Sequence, residues 1–269
     1  MATDLPFFQI DAFADRPFTG NSAAVMPLDA WLDDATLQGI ALENNLSETA
    51  FIVPNATGEA DYDLRWFTPT TEVEMCGHAT LASGHHVLSR DAGLAQVRFL
   101  TRHAGVLVVG RRGDKLRLDL PAWRSAPVDG TALAAALGAE PEAVYRTRDA
   151  VEPSLMAVYG DAATVRGLAP DFRALAALGG VLAMATAPGD QGFDMVSRVF
   201  APAAGIDEDP VTGSAHAMMV PYWAERLGRD RFTAFQASKR GGALDCTLAG
   251  DRVWLDGHCV TVIEGVFRI

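Results

Sequence analysis

Two stretches of this 269-residue chain carry a pattern suited to holding an anion. C-G-H-A-T-L-A at 76–82 and T-G-S-A-H-A-M at 212–218 each put a glycine, and two residues later an alanine, at the start of a small and apolar run. A helix opening at Gly77 or Gly213 leaves its first N–H groups unpaired and turns the positive end of its dipole outward. Without a side chain at that point a carboxylate can approach the backbone closely. The same glycines would also serve simply as tight loop-to-helix turns. Glu48, in N-N-L-S-E-T-A-F at 44–51, stands just before an apolar strand. On the rim of a dry cleft it would be a proton acceptor strengthened by desolvation; at a solvated strand start it would do nothing. Asp209, in E-D-P-V-T-G-S, is either a capping acid for the second helix or a second proton carrier facing Glu48. His78 follows Gly77 directly, where it can be structural or bond a substrate, and Cys76 precedes it, where a thiolate would be stabilised.

The elements that must position these residues read as short strands around two helices. Strands are expected near 7–13, 23–26, 49–53, 62–67, 97–100, 105–109 and 116–120, with a helix capped by Asp33 between the second and third. Residues 121–130, with two prolines and a glycine, read as a linker. The second half holds helices at 131–137 and 172–178 and strands near 155–159, 181–186, 193–200, 232–236, 244–248, 253–255 and 260–267. The helices after Gly77 and Gly213 are apolar on nearly every side, so each should be buried rather than lie on a surface. Pro221 should kink the second. R-W-F-T-P at 65–69 and R-V-F-A-P at 198–202 each precede an acidic loop and then the glycine-started helix, which makes internal duplication the better reading. The fold expected is α+β: two similar domains, 1–120 and 121–269, each a β-barrel-like sheet wrapped around a central helix. Whether the last strand returns to the first domain stays open.

Composition narrows the function. Against 22 Lys+Arg stand 34 Asp+Glu, a net charge of −12, which repels phosphate backbones and anionic lipid and disfavours nucleic-acid and membrane roles. No window is long and apolar enough to span a bilayer, and the opening MATDLPFFQI lacks a signal-peptide pattern. Cys76, Cys246 and Cys259 have no metal-ligand spacing, and the adjacent His85 and His86 point different ways on a helix, so no metal site is expected. A cytoplasmic protein is the expectation. P-loop, H-E-x-x-H, G-x-S-x-G and Rossmann fingerprints are absent.

Taken together, D-A-F-A-D-R-P-F-T-G-N-S-A-A-V at 11–25, N-N-L-S-E-T-A-F at 44–51, R-W-F-T-P at 65–69, C-G-H-A-T-L-A at 76–82 and E-D-P-V-T-G-S-A-H at 208–216 resemble the PhzF-like phenazine-biosynthesis isomerases. That family lies in the diaminopimelate epimerase-like superfamily. The resemblance implies two similar domains, a homodimer, and catalysis without metal or organic cofactor, while the paired helix ends make a small carboxylate-bearing molecule the expected substrate. It implies that Glu48 is the catalytic general acid/base, supported by Asp209 and His78. Gly77, Thr212, Gly213 and Ser214 match its substrate-holding loops, with Cys76 beside them. One departure, Q-A-S-K-R-G-G at 236–242, leaves Gln236 and Arg240 open as substrate contacts. Related epimerases use two opposed cysteines, whereas this chain pairs Cys76 with Thr212, whose hydroxyl is far too weak an acid. The expected activity is therefore an isomerase that moves a proton between carbons. A cysteine-dependent racemase and a non-catalytic binding protein of the same fold are the alternatives.

Overall fold

The structure is a computed structural model that describes residues 3–148 and 153–269. It divides into two compact units, 1–119 with 256–269, and 120–255.

The first unit begins with β1 (Asp4–Ala12), β2 (Asn21–Pro27), α1 (Asp34–Asn44), β3 (Glu48–Pro54), β4 (Tyr62–Phe67), β5 (Glu72–Val73), α2 (Gly77–Arg90), β6 (Gln96–Thr101), β7 (Val106–Arg112) and β8 (Lys115–Pro121). Asp33 caps α1 by accepting the Thr36 N–H at 3.0 Å. Strand β3 is apolar without alternation because both its faces are covered, by α1 on one side and α2 on the other. Helix α2 touches β1, β2, β3, β6 and β7, so the sheet curls around it. The approach is close: a Cβ on Gly84 would lie 2.4 Å from the Val109 side chain, so only glycine lets α2 meet β7. Leu81 and Leu88 are fully buried there, each worth about 1.5–3 kcal/mol of apolar burial.

The second unit holds β9 (Ser125–Pro127), α3 (Thr131–Leu137), β10 (Ala143–Thr147), β11 (Ser154–Val158), α4 (Ala162–Gly167), α5 (Phe172–Ala177), β12 (Leu182–Pro188), β13 (Met195–Ala201), β14 (Ile206–Asp209), α6 (Gly213–Leu227), β15 (Arg231–Gln236), β16 (Gly242–Ala249) and β17 (Arg252–Gly257). The stretch 121–130, expected as a linker, thus contains β9. Its prolines obscured a three-residue strand that pairs with β10 from Ser125 to Pro127. Helix α6 runs through Pro221 without a break. Proline has no N–H to give the Ala217 carbonyl; the Trp123 backbone N–H gives it one instead, at 2.9 Å.

The chain ends with β18 (Cys259–Arg268), which pairs antiparallel with β1 in the first unit. The two units then repeat one pairing order. In the first, β18–β1–β2 is antiparallel, β2–β3 parallel, β3–β4 and β4–β5 antiparallel, β4–β6 parallel and β6–β7 antiparallel. In the second, β9–β10–β11, β11–β12, β12–β13, β13–β14, β13–β15 and β15–β16 follow the same sequence of directions. The registers coincide as well: Arg65 faces Phe51 and Thr49 faces Phe67, while Arg198 faces Ala185 and Ala183 faces Phe200. The fold is α+β, two similar units each built as a curled sheet around a central helix.

Candidate active site

In the first unit, three stretches converge on the start of α2. Glu48 is the first residue of β3, held opposite Ala23 by the parallel pairing with β2. It is only 8% exposed, which excludes the solvated strand start. His78, the second residue of α2, is buried with its Nε2 3.0 Å from Glu48 Oε2. Neither atom makes an aligned hydrogen bond among the described residues, so each retains capacity for a further partner. On the other side of the ring, Nδ1 meets the Asn21 amide nitrogen at 3.1 Å and the Cys76 sulfur at 3.5 Å. Cys76 is the extended N-cap residue of α2 and gives no side-chain cap.

Burial and the Glu48 charge push the Cys76 thiol up to about 11, so at neutral pH it keeps its proton. For His78, burial is the largest influence and works against the charged ring, while the Cys76 sulfur and the Glu48 carboxylate pull the other way. The sulfur exerts that pull only as a thiolate; with Cys76 protonated, Glu48 is the cause that remains. Glu48, Cys76 and His78 offer metal-ligand atoms within 4.8 Å of one another. The imidazole, however, turns one nitrogen to the sulfur and the other to the carboxylate, so the donors do not converge on a single point as a tetrahedral chelate requires. The row is suited to passing a proton.

In the second unit the corresponding turn is closed on itself. Thr212 is the extended N-cap of α6, and its hydroxyl donates to Asp209 Oδ2 in a short contact. The Gln236 side chain brackets the turn: its Oε1 accepts the Thr212 N–H at 2.9 Å, and its Nε2 donates to the Asp209 carbonyl at 2.7 Å and to Thr212 Oγ1 at 3.1 Å. His216 lies 2.7 Å through Nδ1 from the Thr212 carbonyl, the place Thr80 Oγ1 takes toward Cys76 in the first unit, at 2.6 Å. Burial lowers His216 to about 4, so it is neutral. Gly213 and Ser214 form the buried first turn of α6.

The structure therefore brings Glu48, Cys76, Gly77 and His78 together in one unit, and Asp209, Thr212, Gly213 and Ser214 in the other. Both amide ends of Gln236, left open as a substrate contact by the sequence, are spent within the Asp209–Thr212 turn. The echoed arginines were noticed in the sequence but not their work. Arg65 grips Glu72 through two 2.8 Å bonds and lies over Phe67, and Arg198 grips Glu208 at 2.7 and 2.9 Å over Phe200. Each fork pins the acidic loop that leads into its helix. Asn21, within the motif at 11–25, joins the same site through His78 with nothing in its local sequence to mark it. Surface cavities of about 830 Å³ beside Tyr145 and Tyr222, and about 620 Å³ along α1 and β18, are lined by none of these residues.

The sequence pattern of the PhzC-PhzF family, described as phenazine biosynthesis-like protein, matches residues 10–265. An uncharacterized isomerase of Pseudomonas aeruginosa is 47% identical over 270 residues, covering 99% of this chain and 100% of the relative. The crystal structure of a PhzF-family phenazine biosynthesis protein from Enterococcus faecalis superposes with a TM-score of 0.88 at 41% identity, over 99% of this chain and 100% of that one. A predicted epimerase from Pseudomonas aeruginosa, at 23% identity and a TM-score of 0.76 over 98% of this chain and 99% of that one, shares the fold. Fold and relatives define an isomerase-type enzyme of diaminopimelate epimerase-like architecture. The chain belongs to the PhzC-PhzF family of phenazine biosynthesis-like proteins. Among its described residues no helix is long and apolar enough to cross a membrane.

Proposed function

We propose that the protein is a cofactor-independent isomerase that moves a proton between two carbons of a small carboxylate, with Glu48 as the general acid/base. The observation that carries this reading is the pair Glu48 Oε2 and His78 Nε2: buried, 3.0 Å apart, and neither engaged in a formed hydrogen bond. Burying such groups unsatisfied costs stability, about 1–3 kcal/mol for a polar group and more for a charge, so a ligand that completes them is favoured. The substrate carboxylate binds at the first-turn N–H groups beside Gly77. The Glu48 carboxylate removes a proton from the adjacent carbon, and the C–H electron pair spreads into the substrate's conjugated frame, stabilised by those prearranged donors. The resulting carboxylic acid returns the same proton to another carbon, so charge and atoms balance and Glu48 is regenerated. His78 orients Glu48; Cys76 borders the site. Asp209, Thr212, Gly213 and Ser214 serve as a further set of proton-relaying and substrate-holding residues.

A cysteine-dependent racemase finds less support, because Cys76 remains a thiol and its repeat counterpart is Thr212. The exposed Ile263 and Val266 on β18 support the homodimer, and three cysteines outside any disulfide support a cytoplasmic setting. The test is a panel of amino acids and β,γ-unsaturated or cyclohexadiene carboxylates incubated with enzyme in D2O, with proton migration and deuterium uptake followed by NMR. Glu48→Gln should abolish the migration that the native enzyme catalyses in its best panel member while leaving the fold intact. Equal rates in the two proteins would reject the assignment, as would a panel in which a binder identified by thermal shift undergoes no proton migration.

A further inference from the structure

Asn21 opens β2 and is completely buried, with its amide directed at the one side of His78 that does not face Glu48. The chain delivers it there through Gly20, whose φ of +65° and whose clearance allow no side chain: a Cβ would sit 2.2 Å from the Ala12 carbonyl oxygen. Orientation of the amide follows from Ser47, whose hydroxyl donates to Asn21 Oδ1 at 3.4 Å and so turns the NH2 toward the imidazole. Around the ring, the polar neighbours are Asn21 from β2, Glu48 from β3 and Cys76 from the turn before α2. Two of the three, the amide N–H and the thiol S–H, are donors, and both lie at Nδ1. The acceptor, Glu48, lies at Nε2.

We propose that Asn21 is a positioning residue that holds His78 in the tautomer with its proton on Nε2, so that the ring turns an N–H toward the Glu48 carboxylate. A nitrogen flanked by donors must offer its lone pair, and a neutral imidazole has one such nitrogen. Protonating Nδ1 would set an N–H against the Asn21 amide in a site closed to water, where such repulsion is poorly screened. His78 therefore works from one side only, as an orienting donor for Glu48, and the motif containing Asn21 acquires a role in the chemistry. This inference rests on the reading of Glu48 as the acid/base.

The test reads the ring directly. In protein labelled with 15N-histidine, His78 is assigned by comparison with His78→Gln, and its two nitrogens are observed at pH 7. The expected result is a pyridine-type Nδ1 and a pyrrole-type Nε2. The opposite tautomer, or a ring with both nitrogens protonated, overturns the proposal without any variant having to fold. Asn21→Asp replaces the donor with an acceptor and should move a proton onto Nδ1, giving two pyrrole-type nitrogens and a loss of proton migration of about 100-fold. An unchanged ring spectrum in a folded Asn21→Asp protein overturns it as well. Failure of the function shows instead as undiminished migration in Glu48→Gln, which the ring spectrum of the native protein does not register.

Discussion

The starts of α2 and α6 descend from one plan and differ in polarity where it matters. Each has an extended N-cap, a glycine first residue, and a first-turn side chain drawn toward the N-cap carbonyl. At the α6 start, Thr212, Asp209 and Gln236 consume one another's hydrogen bonds. At the α2 start, Glu48 and His78 are left facing each other with bonds unmade. Register explains part of the contrast. Where Glu48 pairs with Ala23 in the parallel β2–β3 ladder, the second unit sets Leu182 opposite Ser154, so the carboxylate of one half is a core leucine in the other. The repeated plan gives two glycine-started helices; the side chains around the first leave polar atoms facing each other, and those around the second bond to one another.

The sharpest way to break this comparison is Glu48→Gln, which takes the carboxylate out of the α2 start. Proton migration measured by NMR should fall by about 10²–10⁴, the usual worth of a general acid/base, while thermal unfolding changes little. Next comes Gln236→Leu, which strips the α6 start of its bracket. With the Thr212 N–H and the Asp209 carbonyl deprived of the amide that bridges them, urea unfolding should show a loss of about 2–4 kcal/mol. A stability within 0.5 kcal/mol, roughly the spread of neutral surface changes, would mean the bracket is dispensable.

A third effect follows from His216. Its folded value of about 4 lies below the ordinary 6.5, so between those limits the unfolded chain takes up a proton that the folded one refuses. The contribution is complete above pH 6.5 and is lost as pH falls toward 4, by at most about 3 kcal/mol. Urea titrations across that window should show a shallower decline in His216→Gln than in the native protein; His86, also lowered to about 4, keeps some slope in both. Smallest of all is Cys76→Thr, which installs the second unit's residue in the first. Because the thiol keeps its proton, migration should decline less than about tenfold, well short of the loss at Glu48; a loss equal to that of Glu48→Gln would restore the cysteine mechanism.

Much of the molecule was readable in its sequence, for identifiable reasons. Helices buried all round, such as α2 and α6, announce themselves by lacking a polar face, and the Arg-x-Phe-x-Pro echo marked the duplication. Strand β10 escaped because A-V-Y-R-T, with one fully buried residue, has too little alternation to read, and β9 because its proline reads as a break. Glu48 and His78 were singled out from their neighbours in the chain. Nothing local indicated that Asn21 would reach His78, since 57 positions separate them and only the β2–α2 packing joins them. Gln236 was legible as a polar residue near the site but not as the bracket of Thr212, because its role is defined by a backbone N–H and a carbonyl that no sequence displays.

Residue type and order alone determined the repeat, the two glycine-opened buried helices and the placement of a carboxylate at the start of an apolar strand, because periodicity and composition act within a few residues of one another. The curled sheet decided the rest: that Glu48 is buried against His78, that Nδ1 meets donors and Nε2 an acceptor, and that the equivalent turn is sealed by Gln236. Those outcomes depend on strand register and on distances of about 3 Å between residues far apart in the chain, and only packing sets such distances.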